Sequence, residues 1–156
     1  MTELELGRVT DRKPPFKYSA IARVWFSDTD AQGIVYYGRY LPYFDLARVE
    51  YHRHLGLLRI DSEHELVMRA SAVDYLAPAQ FDDLLEVFVR LARVGTTSAT
   101  YEFAAYRVED DVLMVTAKQT LVLVDLGERQ ARPIPREFID AMRGFEGTDL
   151  DTAART

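Results

Sequence analysis

Residues 28–50 read DTDAQGIVYYGRYLPYFDLARVE, and the stretch changes character near its middle. Up to Gly33 it is broken by Asp and Gly, the chemistry of a turn. From Gly38 to Leu55 the apolar residues Leu41, Phe44, Ala47, Tyr51 and Leu55 follow helical spacing. Arg39, Asp45, Arg48, Glu50, Arg53 and His54 lie mostly off that stripe. Pro42 fits only within the first helical turn, where a missing N–H costs little. Gly56 just past the stripe, and His52, Arg53 and His54 in the last turn, are C-terminal signals. The spacing therefore predicts a turn followed by one long helix over 38–55.

Upstream of this helix, Tyr18, Ala20, Ala22, Val24 and Phe26 alternate within residues 16–26, which predicts a strand. Residues 1–15 are polar and end in Pro14-Pro15, so they read as an extended arm. Downstream, four β-rich runs follow: Leu66–Leu76, Leu84–Val94, Thr97–Val108 and Val112–Val124. The breaks between them are short, which implies antiparallel neighbours. Residues 136–145, REFIDAMRGF, fit one short helix, and 147–156 are small and polar enough to fray. The expected class is α+β: a five-stranded antiparallel sheet and one long helix, in a single domain over 1–156. One helix cannot cover both faces of such a sheet, so a partner or water must take the other.

Composition narrows the function. With 19 Lys+Arg against 25 Asp+Glu the formal net charge is −6, so a basic nucleic-acid-binding domain is excluded. The absence of cysteine excludes a disulfide scaffold, thiolate metal sites and a cysteine nucleophile. The start has no basic segment followed by an apolar run, and no stretch approaches about 18 apolar residues. The expectation is a soluble, cytoplasmic protein with no membrane span.

The turn at 28–37 admits three readings. A calcium loop opening at Asp28 would need a bidentate Glu twelve positions along, and that position is Arg39, a cation. Capping is the plain reading for any single Asp before a helix, and it is expected of Asp28. The third reading is catalytic. A carboxylate beside a helix start faces N–H groups of partial positive charge that can polarise a carbonyl. The carboxylate can then attack that carbonyl or deprotonate a water, which suits hydrolysis of an activated acyl group.

Other candidates read plainly. His52 and His54, two apart, point to different helix faces and form no metal pair; with His64 they are expected in solvent. Trp25 is expected in the core or a pocket wall. Asp45 and Arg48 have the spacing of a surface ion pair, and Asp82-Asp83 that of a turn.

The order strand, DTDAQGIVYYGRYLPYFDLARVE, helix and four strands resembles the 4-hydroxybenzoyl-CoA thioesterase family, including its Tol–Pal-associated branch. The resemblance covers about residues 17–143. It extends to Val73-Asp74-Tyr75-Leu76-Ala77-Pro78-Ala79 with Asp83, and to the segments Gly95-Thr96-Thr97-Ser98 and Arg132-Pro133-Ile134-Pro135. It implies a hotdog fold, a homodimer or tetramer with the active site between subunits, and an acyl-CoA substrate hydrolysed without metal or organic cofactor. It implies a catalytic carboxylate at Asp30 and a carbonyl-polarising N–H at Tyr37 or Gly38. Gln32, Val35, Thr97, Ser98, Arg93 and Arg132 are the candidate substrate contacts, the arginines for phosphates. Two positions depart from relatives: Tyr37 stands where the Tol–Pal branch often has His, and Thr96 where many carry a basic residue. Tyr37 favours an aromatic acyl group. The competing readings are a hydratase on the same fold and a non-catalytic acyl-CoA-binding module.

Overall fold

The computed structural model describes residues 5–59 and 61–152. Residues 1–4 of the expected arm and 153–156 of the expected tail lie outside them. The strands are β1 (Gly7–Val9), β2 (Tyr18–Arg23), β3 (His64–Tyr75), β4 (Leu84–Val94), β5 (Ser98–Arg107), β6 (Val112–Asp125) and β7 (Asp151–Thr152). The helices are α1 (Tyr40–His54) and α2 (Arg136–Glu146). The sheet order is β1-β2-β4-β5-β6-β3, antiparallel throughout, with β7 added parallel to the end of β4. The sheet packs around α1, the hotdog arrangement, with seven strands among the described residues rather than five.

The two extra strands are short. Gly7–Val9 pairs with β2 from within the arm, and residues 147–152, expected to fray, form a 3-10 turn and then β7. Neither run is long enough to show an alternation. The arm also covers the outer face of the sheet. Phe16 packs on Phe88, and Arg12 and Ser19 both donate to the Glu86 carboxylate. Burial pushes that carboxyl up, but these hydrogen bonds and the charges of Arg12 and Arg8 hold it below the usual range. This explains why Phe88 is buried on the outer face of β4, under the arm, while Val87, Val89 and Leu91 face the helix.

α1 begins after a 3-10 turn, Tyr37–Arg39, so Pro42 is its third residue and needs no intrahelical acceptor. Phe44, Ala47 and Tyr51 are fully buried, as the spacing predicted, while Leu41 is 40% exposed. Tyr40 and Tyr43 take its place against the sheet, at 3% and 7% exposure. The helix ends where Gly56 adopts φ +73°, a conformation open to glycine, and its N–H donates to the Arg53 carbonyl.

Two expectations are corrected here. Trp25 is 68% exposed: the inward alternation Tyr18, Ala20, Ala22 and Val24 ends just before it, past the end of β2 at Arg23. His52 is buried, not solvated: its Nε2 lies 2.6 Å from the Tyr101 hydroxyl, and Phe138 packs against its ring. Burial, then the neighbouring Arg48, lowers its pKa to about 3. The unfolded ring takes a proton below about pH 6.5, whereas the folded one does so only near 3. Between those values the unfolded state binds more protons, so stability falls as pH drops through that window. We expect His52→Gln to flatten the acid limb of a melting-temperature profile between pH 4 and 7. Parallel limbs in the two proteins would show that His52 does not cause it.

Candidate active site

The loop between β2 and α1 is held by its own short side chains. Asp28 Oδ2 accepts hydrogen bonds from the Trp25 N–H at 3.0 Å and from the Tyr43 hydroxyl at 2.7 Å, the expected cap extended by a link to α1. The Asp28 carbonyl accepts the Tyr36 N–H at 2.9 Å. Thr29 bridges to Val35, and the Asp30 N–H donates to the Ile34 carbonyl at 2.8 Å. The Gly33 N–H donates to the Asp30 carbonyl, with Gly33 at φ +79°, where a side chain would be strained. On the other flank Val35 N–H donates to the Ala79 carbonyl, and Ile34 bridges to Gln80. The result is a small hairpin stitched to α1 on one side and to the β3–β4 connection on the other.

This hairpin fixes Asp30 at the surface. Its Oδ1 accepts the Gln32 N–H at 2.7 Å, which orients the carboxylate and leaves Oδ2 for another partner. The 3-10 turn at Tyr37–Arg39 follows. Its Arg39 N–H donates to the Tyr36 carbonyl at 2.8 Å. The Tyr37 and Gly38 N–H groups open the turn, so no carbonyl within it lies ahead of them to accept. Asp30, Gln32, Val35 and Tyr37 share one cavity of about 370 Å³ with Tyr40 and Tyr75. Ile34, Leu76, Ala77 and Pro78 complete its wall. The Asp30 carboxylate, Tyr37 from the turn that leads into α1, and apolar and aromatic walls therefore meet in one place, while Gly38 is not among the residues that line the cavity.

A larger cleft of about 710 Å³ lies between the second half of α1 and the start of β3. It holds the His64–Asp61 pair, 2.9 Å apart. No helix start faces it, and the Asp61 carboxylate is already engaged by the Glu63 and His64 N–H groups. The smaller cavity is therefore the better site on chemistry, although not on size.

The remaining predicted contacts are elsewhere. Arg93 sits on β4 and pairs with Asp151 at 3.6 Å. The Thr97 carbonyl accepts the Leu123 N–H, and Ser98 opens β5. Arg132 donates to Glu128 at 2.9 Å. None of these four lines the Asp30 cavity within one chain. Spacing singled out neither Tyr40 nor Tyr75 as a site residue. Tyr40 follows the helical period only after the helix start is known, and Tyr75 reaches the site through the long-range register of β3 on β6. Asp45 and Arg48 form the expected pair at 2.9 Å.

Comparison with known proteins gives a consistent group. The family described as the thioesterase-like superfamily matches residues 24–142. The acyl-CoA thioesterase YbgC of Haemophilus influenzae is 34% identical over 124 residues, 77% of this chain and 90% of that one. The 1,4-dihydroxy-2-naphthoyl-CoA hydrolase of a Synechocystis strain is 26% identical over 124 residues, 77% of this chain and 90% of that one. A Pseudomonas aeruginosa protein of known crystal structure superposes with a TM-score of 0.76 at 26% identity, over 90% of this chain and 95% of its own.

Proposed function

The chain belongs to the thioesterase-like superfamily, and from that footing we propose that it hydrolyses an acyl-CoA thioester to the free acid and coenzyme A at the Asp30 cavity. One observation carries the proposal: Asp30 and Tyr37, the first residue of the turn that leads into α1, line the same small cavity. The acyl group enters among Val35, Tyr40, Tyr75 and Leu76, with its carbonyl oxygen toward the Tyr37 and Gly38 N–H groups. Those donors are fixed before charge develops on the oxygen, so they need no reorganisation in the transition state. Asp30 either attacks the carbonyl carbon or takes a proton from a water that does. If Asp30 attacks, the C–S bond breaks as the acyl carbon bonds the Asp30 oxygen, the sulfur leaves as thiolate, and water then opens the mixed anhydride to restore the carboxylate. If Asp30 acts as base, the acyl carbon gains the water's oxygen as the C–S bond breaks, and the proton taken by Asp30 passes to the departing thiolate or to solvent.

The Tyr37, Tyr40 and Tyr75 rings around the cavity favour an aromatic acyl group, and the Synechocystis relative is named for one. Arg93, Arg132, Thr97 and Ser98 are the proposed contacts to the nucleotide end of coenzyme A, separated from the thioester by its long arm. A cytoplasmic enzyme is the matching location. Following thiol release over a panel of aliphatic and aromatic acyl-CoAs tests the function. We expect turnover of at least one aryl thioester; stoichiometric binding without thiol release would favour a binding module instead.

The same proposal includes a second copy of the chain. Among the described residues β3 pairs only with β6, and apart from Leu66 and Val73, which pack against the core, much of it is open: Val67 is 41%, Met68 44% and Tyr75 50% exposed. A largely exposed twelve-residue edge strand of this kind is a template for pairing. Light scattering should give two or four times the 17.9 kDa chain mass. A fully active monomer at micromolar concentration would contradict a site shared between subunits.

A further inference from the structure

Tyr75 ends the edge strand β3, and its hydroxyl donates to the Tyr37 carbonyl at 3.1 Å. That carbonyl and the Gly38 N–H are the two ends of one planar peptide. A hydrogen bond at one end therefore sets the plane in which the other end points. It also polarises the peptide, which strengthens the N–H as a donor. We propose that Tyr75 is a positioning residue of the thioesterase site: through the Tyr37–Gly38 peptide, its phenol aims the Gly38 N–H at the carbonyl oxygen of the substrate. The inference rests on the reading of the Asp30 cavity given above.

The phenol is well placed for this task because its mount is rigid. Tyr75 pairs with Val115 on β6, and the next two N–H groups, of Leu76 and Ala77, both donate to the Met114 carbonyl, at 2.9 and 3.0 Å. The ring is wedged edge-on to Tyr37, with centroids 6.2 Å apart, and lies 5.7 Å from Tyr40. Tyr40 is fixed in turn, its hydroxyl accepting the Ala79 N–H at 3.1 Å. The peptide being held needs such a restraint, since Gly38 has no side chain to limit its rotation.

Tyr75→Phe removes the hydroxyl and keeps the ring that lines the cavity. Tyr75 is half-exposed, so the variant should fold as the parent does. We expect kcat to fall about three- to tenfold, the rate equivalent of one neutral hydrogen bond, with KM within about twofold. The 15N resonance of the Gly38 amide, read without substrate, should move as its peptide loses polarisation. An unchanged kcat with an unmoved Gly38 resonance overturns the proposal, and so does a raised KM at constant kcat, which would make Tyr75 a wall only. Failure of the site itself would show differently, as full activity in Asp30→Asn. The Gly38 resonance then still decides whether Tyr75 holds the peptide.

Discussion

Replacing Asp30 by Asn should lower thioester hydrolysis by about 10²–10⁴, the span for losing a positioned acid–base group, while leaving the melting temperature unchanged. The structure explains both halves of this expectation. Asparagine has the same shape, and its Oδ1 can still accept the Gln32 N–H that orients residue 30. The hairpin is otherwise held by backbone bonds of Asp30 and Gly33 and by the Thr29–Val35 bridge, none of which needs the charge. Only the nucleophile or base is lost. Asp28→Asn makes the informative contrast. Asp28 accepts from Trp25 and from the Tyr43 hydroxyl, so its carboxylate serves the fold, and its loss should cost about 1 kcal/mol of stability. Equal losses of activity at both positions, with folding intact, would mean that the two roles are misassigned.

The second large effect is expected at Tyr37, where backbone and side chain can be separated. Tyr37→Pro deletes the N–H and should lower kcat by about 10²–10³, the loss for one oxyanion donor. Two backbone features suit proline at this position. Tyr37 is the first residue of its turn, where an N–H has no internal acceptor. Tyr36 before it sits at φ −61° and ψ 132°, the extended region that a following proline requires. Circular dichroism should confirm that the fold survives. Tyr37→Phe keeps the N–H and a ring that is 61% exposed, and should lose less than about tenfold. If the Phe variant alone abolished turnover while substrate still bound, the phenol would be the catalytic group. A Pro variant with a normal rate would remove the Tyr37 N–H from the reacting carbonyl.

Much of this architecture can be read from local pattern. The helix at 40–54 follows from Phe44, Ala47 and Tyr51, because a buried stripe must repeat at the helical period. β4, β5 and β6 lie within one residue of the runs their alternation marks. β1 and β7 do not show, since three and two residues carry no period and their pairing depends on where β2 and β4 end. Asp30, Gln32, Val35 and Tyr37 fall together because they are close in sequence on one hairpin. Tyr75 joins them through β3 pairing on β6, and His52 is buried by Tyr101 and Phe138 from distant elements. No window of sequence holds those contacts. The same limit applies to Arg93, Thr97, Ser98 and Arg132, which the family resemblance gathers with Asp30 but a single folded chain keeps apart.

The most direct test is a crystal structure of the Asp30→Asn variant with an intact aryl-CoA bound. The account predicts the acyl group in the cavity beside Val35, Tyr40 and Tyr75. The thioester oxygen should lie within hydrogen-bond distance of the Tyr37 or Gly38 N–H, with the carbonyl carbon facing residue 30. A thioester seated in the larger cleft by His64, or with its carbonyl turned away from the start of α1, would contradict it.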